Sequence, residues 1–470
     1  MNFRVLIFLL TPLSLLASEF STRFDEILHQ ATPVQLYTFL YDVPKGGDLH
    51  NHAGGANIAE WAYAIATDPK RNGGDTFYTR ANFAVQPDAI NPQMRFRNIR
   101  QATYAQLSAA AKTEYMPLAS LSAEQRAAWC SSLRLDAPGR GRDEFFGVLW
   151  TRMGELNHSP NVRTELLVEN IKAFGAEGLK YLETQFDVEG MVDNSGHMIP
   201  LEEGVAFVRQ RLGQPDVLAT GMTVRFIETV LRFAPNAERR LEEQYAFVDA
   251  HRDQWVGVNM AGIEENGHGY PTRFLETFRK LRSRYPALAL TIHAGEMDGP
   301  DSHIRDTLLL GATRIGHGVN LIRDSDTLLL LQQSQHVLVE INLISNKLLE
   351  YTPDLTKHPF PEYLRTGVPV CLNTDDRGMW DSNMTDEYYT GVTTFNLSWD
   401  ELVTLGRNSL KYSFVQPEVK AKLLADYDQR VAAFEAKYRS GDSQAALAKL
   451  STVKPTTYSY AKRTWGFEFK

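Results

Sequence analysis

Histidines and acidic residues recur where short apolar segments of this sequence end. The first of these segments ends in Asp48–His52, and the alternation of a strand places its two histidines on one face. Later segments end in His293–Glu296, Gly316–Gly318 and Asn373–Asp376. Imidazole and carboxylate groups are the usual ligands of a zinc ion that keeps one position open for water. If these ends meet, the sequence predicts a metal-dependent active site.

The apolar segments have the length and spacing of parallel strands joined by helices. Repeated strand–helix units imply right-handed crossovers, and eight of them favour a closed α/β barrel, the (β/α)8 TIM barrel. The open doubly wound alternative would place a GxGxxG turn after the first strand, and the sequence has none there. The predicted strands are Gly46–His52, Leu179–Phe186, Met222–Val230, Trp255–Ala261, Ala287–His293, Ala312–His317, Val337–Ile341 and Val368–Thr374.

The remaining chain divides around this barrel, which is predicted to cover residues 44–415. Residues 56–145 read as an irregular insertion in the first strand–helix loop, where it would shape access to the mouth; a solvated decoration without a catalytic part is the alternative. Residues 19–43 are expected to form an amphipathic helical arm that packs on the barrel or on a partner. Residues 416–470 are expected to form a helix, Glu418–Tyr438, and a tail.

Composition narrows the classes of protein to which the chain can belong. Its 470 residues carry 49 Lys+Arg and 57 Asp+Glu, and this net charge of -8 argues against a nucleic-acid partner. A hydrophobic fraction of 43% is ordinary for a globular protein. Cys130 and Cys371 cannot build a disulfide scaffold, and whether they pair stays open.

The first 18 residues predict export to the periplasm or the medium. One arginine precedes an apolar run, Val5–Leu16, and small residues follow it, in the order of a secretory leader. The run is too short to span a bilayer. A buried N-terminal strand or helix is the alternative.

Two further features concern the metal. The predicted fourth strand, Trp255–Ala261, has no lysine that could bridge two ions, so one ion per chain is favoured. The cysteine-ligated deaminase signature, HxE with PCxxC, is not in the sequence. The pattern therefore favours histidine and carboxylate ligands.

In this order, the motifs resemble those of the adenosine deaminase family of the metal-dependent amidohydrolase superfamily. Pro44-Lys45, Gly262 and Ser345-Asn346 also fall where that family has matching residues. The leader and the long first loop are most similar in layout to the secreted, growth-factor-type adenosine deaminases.

The resemblance implies one Zn²⁺ per chain with four ligands, His50, His52, His293 and Asp375. It implies that Glu296 donates a proton to purine N1, that His317 orients and helps to deprotonate the attacking water, and that Asp376 holds that water and the developing 6-hydroxyl. The backbone of Gly262 would accompany the purine edge. The implied reaction converts adenosine, 2′-deoxyadenosine or a close 6-aminopurine nucleoside into inosine or its analogue and ammonia, by attack of metal-activated hydroxide at C6.

Two positions depart from the family pattern. Gly54 stands where relatives often have an acidic contact to the sugar 5′-hydroxyl, so the preferred 5′ substituent stays open. Arg377 stands where a proline commonly follows the paired aspartates, and is either a neutral loop change or a cation that reaches an anionic group.

Alternatives remain at this point. Another barrel amidohydrolase would act on a 5′-modified adenosine, another purine or a cyclic amide. A secreted growth-factor-like binding protein would keep the barrel without catalysis. A homodimer formed through the N-terminal extension is a further expectation.

Overall fold

The computed structural model describes residues 19–82, 96–137, 139–264, 267–299, 301–467 and 469. Its strands, in chain order, are β1 (Gly46–Asp48), β2 (Phe77–Arg80), β3 (Asn98–Arg100), β4 (Tyr115–Pro117), β5 (Leu179–Gln185), β6 (Thr223–Leu231), β7 (Trp255–Ala261), β8 (Ala289–Ala294), β9 (Arg314–His317), β10 (Leu338–Ile341) and β11 (Val370–Leu372).

Eight of these strands form one parallel sheet in the order β1-β5-β6-β7-β8-β9-β10-β11. A bridge between Asn51 and Asp375 joins the first strand to the last, and the Asp375 amide donates to the His50 carbonyl at 2.9 Å. The sheet therefore closes into the predicted (β/α)8 TIM barrel, whose carboxyl strand ends share one mouth.

The observed strands start and end within a few residues of the predicted ones, and β1 differs most. It ends at Asp48 instead of His52 because the Asp48 carboxylate accepts the backbone N–H groups of His50 and Thr374, both at 3.1 Å. These N–H groups are thus bonded to a side chain instead of to a ladder. The chain after β1 still runs alongside its neighbours through isolated bridges at Asn51 and His52.

Helices surround the barrel and extend from both of its termini. In chain order they are α1 (Glu19–Gln30), α2 (Pro33–Asp42), α3 (Ala59–Ala66), α4 (Gln101–Gln106), α5 (Ala109–Lys112), α6 (Ala123–Ser131), α7 (Arg142–Glu144), α8 (Trp150–Arg152), α9 (Pro160–Ala176), α10 (Leu201–Leu212), α11 (Pro215–Leu218), α12 (Ala237–Ala250), α13 (Leu275–Arg284), α14 (His303–Leu309), α15 (Ser325–Ser334), α16 (Leu343–Leu348), α17 (Phe360–Thr366), α18 (Arg377–Trp380), α19 (Met384–Phe395), α20 (Trp399–Lys411), α21 (Pro417–Arg439), α22 (Ser443–Ala448) and α23 (Ser459–Trp465).

The stretch predicted as irregular has regular structure of its own. Strands β2, β3 and β4 form a small antiparallel sheet in the order β3-β2-β4. Phe77 from this sheet, Ile65 from α3 and Trp129 from α6 share a buried cluster. The insertion ends in a π-helix, Phe145–Leu149, which continues into α8 beside the mouth.

The N-terminal arm packs on its own chain. Phe20 of α1 contacts Trp399 with ring centroids 4.8 Å apart, and Phe39 of α2 contacts Phe434 at 5.1 Å. These apolar side chains are buried between α20 and α21. The described part of the arm therefore extends the barrel's own core.

Three further expectations concern the cysteines, membrane-spanning helices and the leader. Cys130 and Cys371 are both free and buried, so they do not pair with each other. Among the described residues, no helix has the length and apolarity needed to cross a membrane. The expected leader, residues 1–18, lies outside the described residues.

Candidate active site

The barrel mouth brings together the ionisable residues that the sequence singled out. His293, His317 and Asp375 lie at or just beyond the ends of β8, β9 and β11, and the pair His50 and His52 follows β1. A cavity of about 370 Å³ opens between them. Its lining includes seven of the eight predicted site residues, His52, Gly262, His293, Glu296, His317, Asp375 and Asp376.

Three imidazoles and one carboxylate converge at the floor of this cavity. Ligand atoms of His50, His52 and His293 lie within 4.8 Å of one another. His52 Nε2 is 3.2 Å from His293 Nε2 and 3.2 Å from Asp375 Oδ1. Nitrogen and oxygen donors brought this close, and buried, form a set that one divalent ion can bridge.

A second layer of polar groups fixes the orientation of two of these imidazoles. His50 Nδ1 lies 2.8 Å from Glu340 Oε2, and Arg314 holds the other oxygen of Glu340 at 2.6 Å. His293 Nδ1 lies 3.1 Å from the side-chain oxygen of Asn259. The Nδ1–H of each ring therefore donates a hydrogen bond to an oxygen. Nε2 of both rings is then the nitrogen that can bind a metal.

One observation that does not depend on the family resemblance indicates that these residues can hold a metal ion. His50 Nε2 is buried and makes no hydrogen bond within the described chain. An unsatisfied buried imidazole nitrogen is costly unless another partner takes its lone pair. Because Asp375 Oδ1 lies 3.5 Å away within the same cluster, a metal ion bound there would be the partner that this lone pair lacks.

Glu296 and His317 face each other beside the metal-ligand cluster. Glu296 Oε2 lies 3.6 Å from His317 Nε2, and both side chains are buried. Burial, and then the charges of Asp375 and Glu264, raise the pKa of Glu296 well above its usual range. Burial, and then the neighbouring His50, lower the pKa of His317 well below its usual range. Burial thus favours the neutral forms of both the Glu296 carboxyl and the His317 imidazole.

A chain of hydrogen bonds sets which nitrogen of His317 carries its proton. The Phe360 N–H donates to Nδ1 of His358 at 3.1 Å, so His358 has its proton on Nε2, which donates to the Asn346 oxygen at 3.1 Å. Burial lowers the pKa of His358 to about 3 and keeps it neutral. The Asn346 amide then donates to His317 Nδ1 at 3.1 Å. His317 therefore keeps its proton on Nε2, which points toward Glu296.

Asp376 follows the predicted ligand Asp375 and points into the cavity. Its Oδ1 is buried without a hydrogen bond to any described residue. A side chain at Gly55 would collide with this carboxylate, so glycine is needed there to leave it room. Burial, and then the charge of Asp375, raise the pKa of Asp376 well above its usual range.

Aromatic side chains form the cavity wall on the side of the insertion. Trp150 of α8 lies beside His52, with ring centroids 5.8 Å apart, and Phe145 and Phe146 of the π-helix line the same wall. A Cβ atom at Gly54 would lie 3.4 Å from the Trp150 ring. Where an acidic contact is common in the family, this cavity therefore has an indole ring.

Arg377 is not a ligand-binding cation. Its side chain is fully buried behind the mouth, where it donates to the Glu177 carboxylate at 3.2 Å and to the Ser382 carbonyl at 3.2 Å. It also stacks on the Phe174 ring. The anionic group that it reaches is thus a carboxylate of the protein itself.

Several residues of the site were not predicted as functional. Glu340 and Asn259 each interrupt an otherwise apolar strand, and an isolated polar residue in a buried strand was the available signal. Glu264 follows β7 and contacts the loop that carries Glu296. No pattern in the sequence indicates a role for Trp150, because its place at the cavity follows from the fold of the insertion before it.

Comparison with known proteins gives a family match over most of the barrel. The model of the family described as "Adenosine deaminase" matches residues 122–430. The chain is 35% identical over 174 residues to the adenosine deaminase of Enterococcus faecalis, which covers 37% of this chain and 50% of that relative. It is 31% identical over 256 residues to the adenine deaminase of Paraburkholderia phytofirmans, which covers 54% of this chain and 70% of that protein.

Solved structures share the barrel at low sequence identity. An amidohydrolase from Burkholderia ambifaria, with bound Zn, has a TM-score of 0.60 at 18% identity, over 87% of this chain and 96% of that one. The Arabidopsis protein ADAL, complexed with GMP, has a TM-score of 0.60 at 20% identity, over 83% of this chain and 98% of that one. These likenesses concern the fold.

Proposed function

This chain belongs to the adenosine deaminase family, and we propose that it catalyses the hydrolytic deamination of adenosine, 2′-deoxyadenosine or a close 6-aminopurine nucleoside. One observation carries this proposal: the buried carboxyl of Glu296 lines the cavity, 3.6 Å from His317 and beside the cluster of three histidines and Asp375. Addition of water across the N1–C6 bond of the purine needs a proton donor at N1 and a positioned oxygen nucleophile at the adjacent C6. The site has a group for each task.

We propose that His50, His52, His293 and Asp375 hold one zinc ion. The nitrogen-rich donor set and the oriented Nδ1 protons of His50 and His293 support zinc over magnesium or calcium, which prefer oxygen ligands. A bound zinc ion would lower the pKa of a water molecule toward neutrality. The related Burkholderia structure carries Zn in the same fold, which agrees with this proposal.

The protein's own groups would do the remaining work. Glu296, kept neutral by burial, donates a proton to the ring nitrogen N1 as the ring loses aromaticity. His317, whose proton lies on Nε2, acts as a hydrogen-bond donor that orients the attacking oxygen. This geometry favours orientation over proton abstraction as its contribution. Asp376, with a free buried oxygen, accepts a hydrogen bond from that oxygen. Collapse of the tetrahedral carbon then releases ammonia: of the two protons of the attacking water, one leaves with the 6-amino group and the other restores the carboxyl of Glu296.

The composition of the cavity lining favours a substrate without a negative charge. Its lining includes the carboxyl groups of Asp187, Glu296, Asp375 and Asp376 and, among the described residues, neither lysine nor arginine. A 5′-phosphate brought into this lining would lose its hydration without a basic side chain of the described lining to pair with it, which is unfavourable. The aromatic wall suits the apolar faces of a purine and a ribose. We therefore propose nucleosides, and not nucleotides of the kind bound by the Arabidopsis protein, as substrates.

The experiment that tests this proposal is a substrate panel on the purified, zinc-loaded chain. Adenosine, 2′-deoxyadenosine, adenine and AMP are compared by the fall in purine absorbance and by ammonia release. Turnover of the two nucleosides supports the proposal. Turnover of adenine alone would replace it with the activity named for the Paraburkholderia relative, and no release from any of the four would reject deamination.

We also propose that the chain is exported. The arginine and apolar run in residues 1–18 support this, and cleavage would leave the arm that begins with α1 at the new N-terminus. Expression of the full chain in a bacterial host, followed by N-terminal sequencing of the periplasmic fraction, tests the proposal. Recovery of the uncleaved chain in the cytoplasm only would reject it.

A further inference from the structure

A buried carboxylate lies directly beneath the loop that carries Glu296. Glu264, which follows β7, accepts the backbone N–H of Gly295 at 2.9 Å with one oxygen and that of Glu296 at 3.0 Å with the other. His303 Nδ1, at the start of α14, lies 3.0 Å from the first of these oxygens. Glu264 is 3% exposed, so water does not compete for these bonds.

These contacts determine where the loop can lie. Gly295 has a φ of +81°, and a Cβ atom there would come within 2.6 Å of the Asn320 side chain and 2.7 Å of Ile304. The turn is thus tightly enclosed, and its two consecutive N–H groups point away from the cavity at one carboxylate. The Glu296 backbone amide is one atom from the Cα that aims the catalytic side chain. Any shift in the Glu264 bond is therefore transmitted to the carboxyl that faces His317.

We propose that Glu264 is a positioning residue that holds the Glu296 carboxyl in its reactive location, with His303 fixing Glu264 in turn. This inference rests on the proposed function, because it concerns the proton donor of that reaction. Two hydrogen bonds from consecutive amides to one carboxylate restrict both the height and the rotation of the turn, which a single bond would not do. Preorganisation of this kind contributes to kcat because the group is already in place before the transition state forms.

The charge of Glu264 supports the role of Glu296 as a proton donor, as its hydrogen bonds do. Together with burial and Asp375, it favours the neutral form of Glu296, and the charges of His50 and Arg232 oppose it. A neutral replacement of the same size would thus weaken both the position and the protonation of the donor. The expected loss of activity needs only the change in the position of Glu296.

The test uses Glu264→Gln in the zinc-loaded full-length enzyme. One amide oxygen can still accept one N–H, but the amide NH₂ faces the other, so the turn must move. A displacement of about 1 Å can cost about 100-fold in rate, and we expect kcat for adenosine to fall by about that factor while KM changes less than about threefold. The affinity for an inhibitor with a tetrahedral, hydroxylated C6 should fall with kcat, whereas the affinity for inosine and the zinc content should not change.

Glu177→Gln is the matched control. Glu177 is also a buried carboxylate that accepts a backbone N–H, that of Thr385 at 3.1 Å, but it lies behind the barrel mouth with Arg377. Its replacement should lower the thermal stability to a similar degree and leave kcat unchanged. A kcat for Glu264→Gln within twofold of wild type, or a loss no larger than that of Glu177→Gln, would overturn the inference.

A second variant keeps the question open to measurement if Glu264→Gln does not fold. His303→Phe keeps a ring of similar size but removes the Nδ1 donor that pins Glu264, and it leaves both amide bonds in place. A loss of kcat of about tenfold, without a matching change in KM, is expected, and unchanged kcat would overturn the proposed part of His303 and Glu264. If the wild-type chain does not deaminate any substrate, the proposed function itself fails, and this outcome is distinct from either variant result.

Discussion

The side-chain amide of Asn346 lies 3.1 Å from Nδ1 of His317, and it is oriented there by His358 on its other side. Asn342 presents its own amide nitrogen to the same Nδ1 at 3.2 Å. Two donors on one ring nitrogen leave the proton of His317 on Nε2. The tautomer of a residue in the mouth is thus decided by residues of α16 and of the loop before α17.

Reversing this tautomer should impair catalysis. In Asn346→Asp, an anionic carboxylate oxygen replaces one donor and binds a ring N–H more strongly than the remaining Asn342 amide binds the lone pair, so Nδ1 of His317 acquires the proton and Nε2 becomes an acceptor. We expect kcat to fall by about 100-fold or more, since the wrong imidazole tautomer costs up to about 10⁴-fold in serine proteases.

The measurement for Asn346→Asp is steady-state kinetics with adenosine, supported by the titration of His317 in NMR spectra. Asn408→Asp is its control, because Asn408 also donates from a partly buried amide, to the Val370 carbonyl, outside the mouth. Equal loss of kcat in both variants would mean that general destabilisation, and not the tautomer, is responsible.

Removal of the charge behind His50 should weaken metal binding. Glu340 accepts a hydrogen bond from Nδ1 of His50 and is paired with Arg314. The change Glu340→Gln therefore makes Nε2 of His50 a poorer metal ligand. We expect metal affinity to fall by about 10- to 100-fold, the usual effect of such changes. Zinc content after dialysis against chelators of graded strength gives the value.

Glu183 offers the matched comparison for Glu340. It contacts the same Arg314 at 2.6 Å, in the same buried layer of the barrel, but no predicted ligand. Glu183→Gln should lower stability without loss of zinc. Wild-type zinc retention in Glu340→Gln would reject the role assigned to this carboxylate.

Loss of the proton donor should separate catalysis from metal binding. Glu296→Gln keeps the shape of the side chain but cannot deliver a proton, so turnover should fall by about 10²- to 10⁴-fold or more while zinc content stays at the wild-type level. Glu203→Gln, on the exposed face of α10, is the control. A biological effect of the protein that survives Glu296→Gln unchanged would not depend on catalysis.

One buried carboxyl should make stability depend on pH. Asp386 of α19 bonds to Tyr37 of the arm at 2.7 Å, and burial raises its pKa to about 8. A raised pKa in the folded state stabilises the protein below the ordinary value near 4, and this contribution is lost as the pH rises to 8. The free-energy gap between wild type and Asp386→Asn should therefore narrow by up to about 1.4 kcal/mol per pH unit over this range.

Denaturant titrations at several pH values measure this gap for Asp386. Asp428→Asn, at an exposed pair with Arg407, should give a curve parallel to that of wild type. A parallel curve for Asp386→Asn as well would mean that this carboxyl is already ionised in the folded protein.

The barrel and most residues of the mouth could be predicted because both depend on local patterns. Apolar strands at regular spacing indicate the fold, and a closed barrel forces their ends together, so His50, His293 and His317 could be placed in one site before any coordinate was known. The roles of these residues stay predictions until the variants are measured.

The supporting groups could not be predicted because they act through long-range contacts. Glu264 and Glu340 are ordinary acidic residues in the sequence, and only the folded chain reveals that one holds a catalytic turn and the other an imidazole. The small sheet of the insertion was missed for another reason. Its strands have three or four residues, too few to show alternation.

The wall formed by Trp150 should decide which 5′ groups are accepted. Its ring covers Gly54, where the family resemblance places the contact to the sugar 5′-hydroxyl, and the described part of the lining has no basic side chain. We therefore expect 5′-deoxyadenosine and adenosines with small apolar 5′ groups to be deaminated about as well as adenosine. AMP should show a kcat/KM lower by about 10²-fold or more, because no basic side chain of the described lining can pair with its phosphate.

Trp150→Ala provides the direct test of this wall. Loss of a tryptophan that packs on a ligand commonly costs about 2 kcal/mol or more, so KM for adenosine should rise by about tenfold or more and the preference for apolar 5′ groups should disappear. Trp61→Ala is the control, since Trp61 packs on Tyr458 outside the cavity. If KM and the ranking of 5′ groups stay as in wild type, the aromatic wall does not contact the sugar, and the 5′ end of the substrate must lie on another side of the mouth.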